Sequence, residues 1–133
     1  MKRAILKRVQ RGSEGFEESM NLQARKHTLR SKPGAEDCRS VAILAKGLSD
    51  ENRLRILVCL CGRKKSVSKI VEEVGLSQPL VSHHLKELKR CLIVDIERNG
   101  PFIYYRLADS RILGVVQVLG SIAMDLVATR KTL

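Results

Sequence analysis

The chain has 133 residues, 44% of them hydrophobic, enough for one real core and too few for most two-domain enzymes. Lys and Arg outnumber Asp and Glu by 25 to 14, a formal net charge of +11, so the partner to expect is a polyanion, nucleic acid before an acidic membrane surface. Met1–Gln10 is basic, but Lys7 and Arg8 interrupt its apolar residues, which is not the pattern of a signal peptide, and a cytoplasmic protein is expected.

Residues 1–36 carry nine basic and four acidic residues, with Gly12, Gly15, Pro33 and Gly34 as breakers and no sustained apolar period. They are expected to form a basic, flexible N-terminal tail, with the folded part over 37–133. A short apolar helix is expected from Ser40 to Gly47, with Val41, Leu44 and Ala45 on one side and Gly47-Leu48 as its break. Ser49 or Asp50 can cap the next helix, where Leu54, Leu57, Val58 and Cys61 fall at i, i+3, i+4 and i+7. Gly62-Arg63-Lys64-Lys65 is expected to close that helix with cations at its negative end.

Ser66 can cap a helix in which Val67, Ile70, Val71 and Val74 repeat the same spacing, and Gly75-Leu76 supplies a tight turn. Ser77 is expected to cap the helix that follows, with Pro79 tolerated in its first turn. Val81, Leu85 and Leu88 form the inner stripe of that helix. Pro79, His83, Lys86 and Arg90 project outward, Ser82 and His84 lie on the flanks, and Glu87 is the single acid. A face of cations and hydrogen-bonding groups suits the anionic groove of DNA.

After Cys91-Leu92 the period changes from 3.6 to 2 over Ile93–Arg98. Asn99-Gly100 is a strong hairpin signal, and Phe102–Leu107 reads as the return strand. Asp109-Ser110 can cap a last helix whose broad apolar face is made by Ile112, Val115, Val116, Leu119, Ile122, Ala123 and Leu126. The longest uncharged apolar run, Ile112–Met124, covers 13 residues against about 20 for a membrane span. No membrane association is therefore expected, and a partner helix from a second copy is the simplest cover. The fold class is mainly α (α+β): a winged helix-turn-helix with a two-stranded β wing and a terminal dimerisation helix.

Three strings carry a family resemblance: Leu48-Ser49-Asp50-Glu51-Asn52-Arg53-Leu54-Arg55-Ile56-Leu57, Gly75–Leu88 with its Val81-Ser82-His83-His84-Leu85 centre, and Arg98-Asn99-Gly100 followed by Tyr104-Tyr105-Arg106-Leu107. In this order and spacing, over roughly residues 38–128, the chain resembles the ArsR/SmtB-type transcriptional regulators. The resemblance implies a homodimeric winged-helix repressor, paired through its first and last helices, whose relatives often release DNA when a metal ion, arsenite or a reactive sulfur species reaches a cysteine or histidine site. The family's ligand patterns are incomplete in this chain. Ser66-Val67-Ser68 stands where arsenite and cadmium sensors have Cys-Val-Cys, Asp109–Leu133 has no histidine and no cysteine, and Cys91-Leu92 replaces a common Ala-Gly.

The residues expected at DNA are Ser77, Gln78, Leu80, Ser82, His83, His84 and Lys86 on the recognition helix, with Arg98 and Asn99 at the wing. Gln to adenine and Lys to guanine are natural pairings. Leu80 could meet a thymine methyl or pack in the core, and Asn99 could contact DNA or merely serve the turn. The expected dimer interface comprises Val41, Leu44, Ile112, Val115, Val116, Leu119, Ile122, Ala123 and Leu126. Cys38, Cys59, Cys61 and Cys91 are the candidate sensor thiols. Cys61 also fits the buried stripe, and Cys59 and Cys61 lie about 200° apart on an ideal helix. A metal or metalloid cofactor is left open. Double-stranded DNA with a palindromic operator is the expected partner. No glycine-rich phosphate loop and no nucleophile–base pair is recognisable, so an enzyme is not expected. The competing readings are a DNA-binding regulator insensitive to ligands and a winged-helix protein-interaction module.

Overall fold

The computed structural model describes residues 34–130; most of the expected tail, including its basic Lys2, Arg3, Lys7, Arg8 and Arg11, lies outside the described residues. Five helices and one hairpin follow in order: α1 (Ala35–Leu48), α2 (Glu51–Cys59), α3 (Val67–Val74), α4 (Gln78–Arg90), β1 (Val94–Asn99), β2 (Phe102–Leu107) and α5 (Arg111–Arg130).

Helix α1 starts five residues before the expected Ser40. Asp37 explains the earlier start, because its carboxylate accepts a hydrogen bond from the Gly34 backbone N–H at 2.9 Å and satisfies a donor that the first turn leaves free. Gly47 is not a break. It is helical and buried, and a Cβ there would sit 2.3 Å from Ile93 Cδ1 and 2.9 Å from Cys91 Cβ, so α1 crosses the end of α4 at a distance only glycine permits.

Helix α2 begins at Asp50, whose carboxylate accepts from the Arg53 N–H at 2.9 Å, and this bond is the largest cause holding the Asp50 carboxyl below its ordinary range. Its buried side is Ile56 and Leu57, continued by Leu60. The expected position of Cys61 on that stripe is corrected. The helix ends at Cys59, the chain turns through Gly62 at φ +72°, and Cys61 is exposed. Arg53 and Arg55 act as ties: Arg53 Nε donates to the Gly47 carbonyl at 2.8 Å and Arg55 Nη2 to the Val74 carbonyl, placing cations on the last carbonyls of α1 and α3.

Helices α3 and α4, joined by Gly75-Leu76-Ser77 with Gly75 at φ +68°, form the helix-turn-helix. The core is Ile56, Leu57, Leu60, Ile70, Val74, Val81, Leu85, Leu88, Cys91, Ile93 and Val94, so every helix from α2 to α4 contributes its apolar stripe. The wing is antiparallel, registered Val94↔Leu107 through Asn99↔Phe102. Asn99 is thus the last strand residue. The two-residue loop is Gly100-Pro101, with φ +59° carried by Gly100, which corrects the Asn99-Gly100 turn by one position. Lys65 pairs with Tyr105 through two backbone bonds of 2.9 and 2.8 Å, fastening the α2–α3 connection to the wing base.

Helix α5 is held at its start by Asp109, whose carboxylate accepts from the Arg111 N–H at 2.8 Å and pairs with the Arg111 guanidinium. It contacts α2; Ile112 and Leu113 pack on the core, Val116 and Gln117 are half-buried, and Gly114 is its one buried residue. The uncharged run of α5 stays at 13 residues, Ile112–Met124, and the helix is longer than that run. Asp125 is the single charge between Ile112 and Thr129, and α5 is a helix long and apolar enough, by length and composition alone, to cross a membrane.

Candidate nucleic-acid interface

Burial on α4 separates a core side from a presented side. Val81, His84, Leu85 and Leu88 are buried, whereas Ser77, Gln78, Leu80, Ser82, His83, Lys86, Lys89 and Arg90 are exposed. The one acid, Glu87, is half-buried and paired with Arg90 at 3.2 Å. Ser77 holds the N-cap position, but its hydroxyl makes no capping bond. The Oγ and the free N–H groups of the first turn are therefore available to an anion. The expected outward residues omit Lys89; it is exposed and extends the cationic edge, and its i, i+3 spacing from Lys86 is the signal that could have found it.

His84 is corrected. It is 6% exposed, packed on the inner side of the recognition helix and out of reach of a groove. Neither ring nitrogen has a hydrogen-bond partner among the described residues, and Nδ1 lies 3.9 Å from Asp50 Oδ1. The helical angle decides this: His84 sits one step from Val81 and Leu88 around the helix, on the core side of the flank, while His83 faces outward. The wing tip presents Arg98 and Asn99, both exposed, beside Phe102 at 62% exposure. Leu80, 37% exposed, is not a core residue.

The predicted interface residues also separate. Val41, Leu44, Val115, Leu119, Ile122 and Leu126 are exposed large apolar side chains, and Ala123 is exposed with them. Ile112 packs on the chain's own core, and Val116 is half-buried and borders a cavity against α2 and the wing.

Of the four thiols, Cys38 and Cys61 are exposed, Cys59 is half-buried and Cys91 is buried. Cys59 Sγ donates to Glu73 Oε2 at 3.3 Å, and Glu73 is in turn paired with Lys65. Burial, reinforced by the Glu73 carboxylate, pushes the Cys59 thiol up to about 11, while the Lys65 ammonium holds Glu73 low. Cys59 and Cys61 border one cavity. Even so, the described residues contain no group of three or more His, Cys, Asp or Glu side chains placed to hold a metal. Serines at 66 and 68 add no soft donors, so the described part of one chain does not fit a metal.

A left-handed turn after α3, an exposed cationic α4 and a paired hairpin define a winged helix-turn-helix. Residues 50–95, from the cap of α2 to the start of β1, match the family model of the bacterial regulatory proteins of the arsR family. The cadmium resistance regulatory protein CadC of Listeria innocua is 34% identical over 90 residues, covering 67% of this chain and 76% of CadC. The transcriptional regulator KmtR of Mycobacterium tuberculosis is 33% identical over 84 residues, 63% of this chain and 64% of KmtR, so the match leaves about a third of KmtR uncovered. Among solved structures, the homodimeric winged helix-turn-helix DNA-binding domain of Mb0332 from Mycobacterium bovis superposes with a TM-score of 0.62 at 29% identity, over 74% of this chain and 94% of that domain. The chain belongs to the arsR family of transcriptional regulators.

Proposed function

We propose that this chain is a homodimeric, sequence-specific DNA-binding repressor. Its two α4 helices enter successive major grooves, and each wing lies across the neighbouring minor groove. The observation that carries this reading is the outward face of α4. Gln78, Ser82, His83, Lys86 and Lys89 are exposed, the one acid nearby is paired with Arg90, and the opposite side of α4 is buried through Val81, His84, Leu85 and Leu88. Exposed Val115, Leu119, Ile122 and Leu126 recur on one side of α5, the pattern of a seam that a second copy covers; the homodimeric state of Mb0332 supports that cover over a bilayer. A dimer fixes the operator as an imperfect palindrome with half-sites about 10 base pairs apart.

Selection of duplexes from a random pool by the full chain tests this. An enriched inverted repeat, bound with a log–log salt slope of about −0.9 per phosphate neutralised, is expected. Failure to enrich any sequence, or affinity indifferent to salt, contradicts it. The release signal belongs to the same proposal. The metal-responsive patterns are incomplete in this chain, so the exposed thiols Cys38 and Cys61 are the sites at which a thiol-reactive signal would act. Operator binding before and after alkylation, with and without Cys61→Ser, measures that contribution, and unchanged affinity on full alkylation favours the ligand-insensitive regulator.

A further inference from the structure

A cavity of about 490 Å³ lies where the turn after α2, the wing base and the first half of α5 meet. This is within the ordinary range for small-molecule sites. Its body is apolar, with Val58, Leu60, Leu113 and Val116 on its walls. Arg63, Lys64 and Arg106 also line it, with one acid, Glu97. Two of these cations are engaged: Lys64 pairs with Glu97 and Arg106 faces Asp95 at 4.0 Å. Arg63 is exposed and has no acidic partner among the described residues, which leaves one uncommitted guanidinium in the lining of a mostly apolar chamber.

We propose that this cavity binds a small amphipathic monoanion, an alkyl or aryl carboxylate. Its apolar body would lie against Val58, Leu113 and Val116, and its carboxylate would take the Arg63 guanidinium in the two-pronged geometry that arginine favours. At about 100° per residue, Leu113, Val116 and Gln117, which line the cavity, point roughly 140° away from the Val115, Leu119, Ile122 and Leu126 stripe, so pairing along that stripe alone leaves them uncovered. The cavity's three walls belong to the reading wing, to the helix at the dimer seam and to the core turn between them. Occupancy therefore biases the wing relative to the dimer axis, and this consequence, unlike the site, rests on the DNA-binding reading above.

Calorimetric titration of the full chain with octanoate, and with 1-octanol as the uncharged counterpart, tests the site. Saturable octanoate binding at one per protomer is expected. Arg63→Ala should weaken octanoate at least fivefold and leave octanol unchanged, and Ser110→Trp, at the cavity mouth, should weaken both. No saturation, or equal octanoate affinity in Arg63→Ala and parent, overturns the site; the second result would place the probe on the apolar stripe instead. Should Ser110→Trp not fold, the contrast between the two probes in Arg63→Ala decides alone. In a parallel titration, octanoate should lower affinity for the selected duplex at least threefold in the parent and not in Arg63→Ala. Bound octanoate with unchanged DNA affinity overturns the coupling and keeps the site, whereas a parent that binds no duplex rejects the DNA reading and leaves the calorimetry to stand.

Discussion

Leu92 occupies a backbone conformation that costs a leucine free energy. Its φ is +61°, and the bonds Ile93 N–H to Leu88 carbonyl and Leu92 N–H to Lys89 carbonyl, both 3.0 Å, form the helix-ending motif whose left-handed position is ordinarily glycine. Its side chain is 67% exposed and returns little of the roughly 1 kcal/mol strain. Leu92→Gly should therefore stabilise the protein by about 0.5–1 kcal/mol, read as a Tm a few degrees higher; a lower Tm would mean that a second copy holds the leucine. His84→Leu replaces a buried ring with two unpartnered nitrogens and should leave stability equal or higher, while a loss of more than 2 kcal/mol in urea unfolding would show that the contact with Asp50 is worth more than its 3.9 Å separation suggests. Cys59 carries a sign that can be checked. Its thiol is raised from 9.0 to about 11, so its contribution to stability is complete below pH 9 and is lost as pH climbs toward 11. At pH 8 iodoacetamide should label Cys38 and Cys61 well before Cys59 and Cys91, and early labelling of Cys59 contradicts the account.

At the scale of elements, apolar periodicity identified α2, α3, α4, both strands and α5: in α2 to α4 and β1 the period records a side buried in the core, in β2 a side packed against it through Tyr105 and Leu107, and in α5 largely an exposed apolar side. What periodicity could not supply were ends and exceptions. The early start of α1 depends on the Asp37 carboxylate, and the exposure of Cys61 depends on where α2 stops. The burial of His84 follows the buried-stripe spacing, since Val81, His84, Leu85 and Leu88 fall at i, i+3, i+4 and i+7, but the polar ring reads as a flank residue when polarity is weighed before spacing. The roles of Arg53 and Arg55 at other helices' last carbonyls, and the cavity lined in part by Arg63, arise from contacts between segments that no local pattern encodes. The recognition helix was legible because charge and burial agree on it. Lys86→Ala should weaken operator binding across sequences and lower the salt slope by about 1 if it contacts phosphate, or relax one base position at about 1–3 kcal/mol if it reads an edge. Gln78→Ala should relax a single position, and parent-like binding by both variants would mean that another face reads DNA.

For the whole molecule, one exposed apolar helix and one exposed cationic helix have to be explained together. Pairing α5 with a second copy buries the first and fixes the separation of two copies of the other, which makes assembly and DNA recognition one event. Leu119→Glu should give a monomer by sedimentation and lower operator affinity at least tenfold, and a variant that stays dimeric contradicts this seam. Amide chemical shifts recorded while the selected duplex is titrated into the dimer test the central claim most directly. The account predicts that the largest changes cluster on Ser77–Arg90 and at the Arg98–Gly100 wing tip, while α2 and the paired half of α5 stay nearly still. Changes centred elsewhere, with the α4 amides unmoved at saturation, would contradict it.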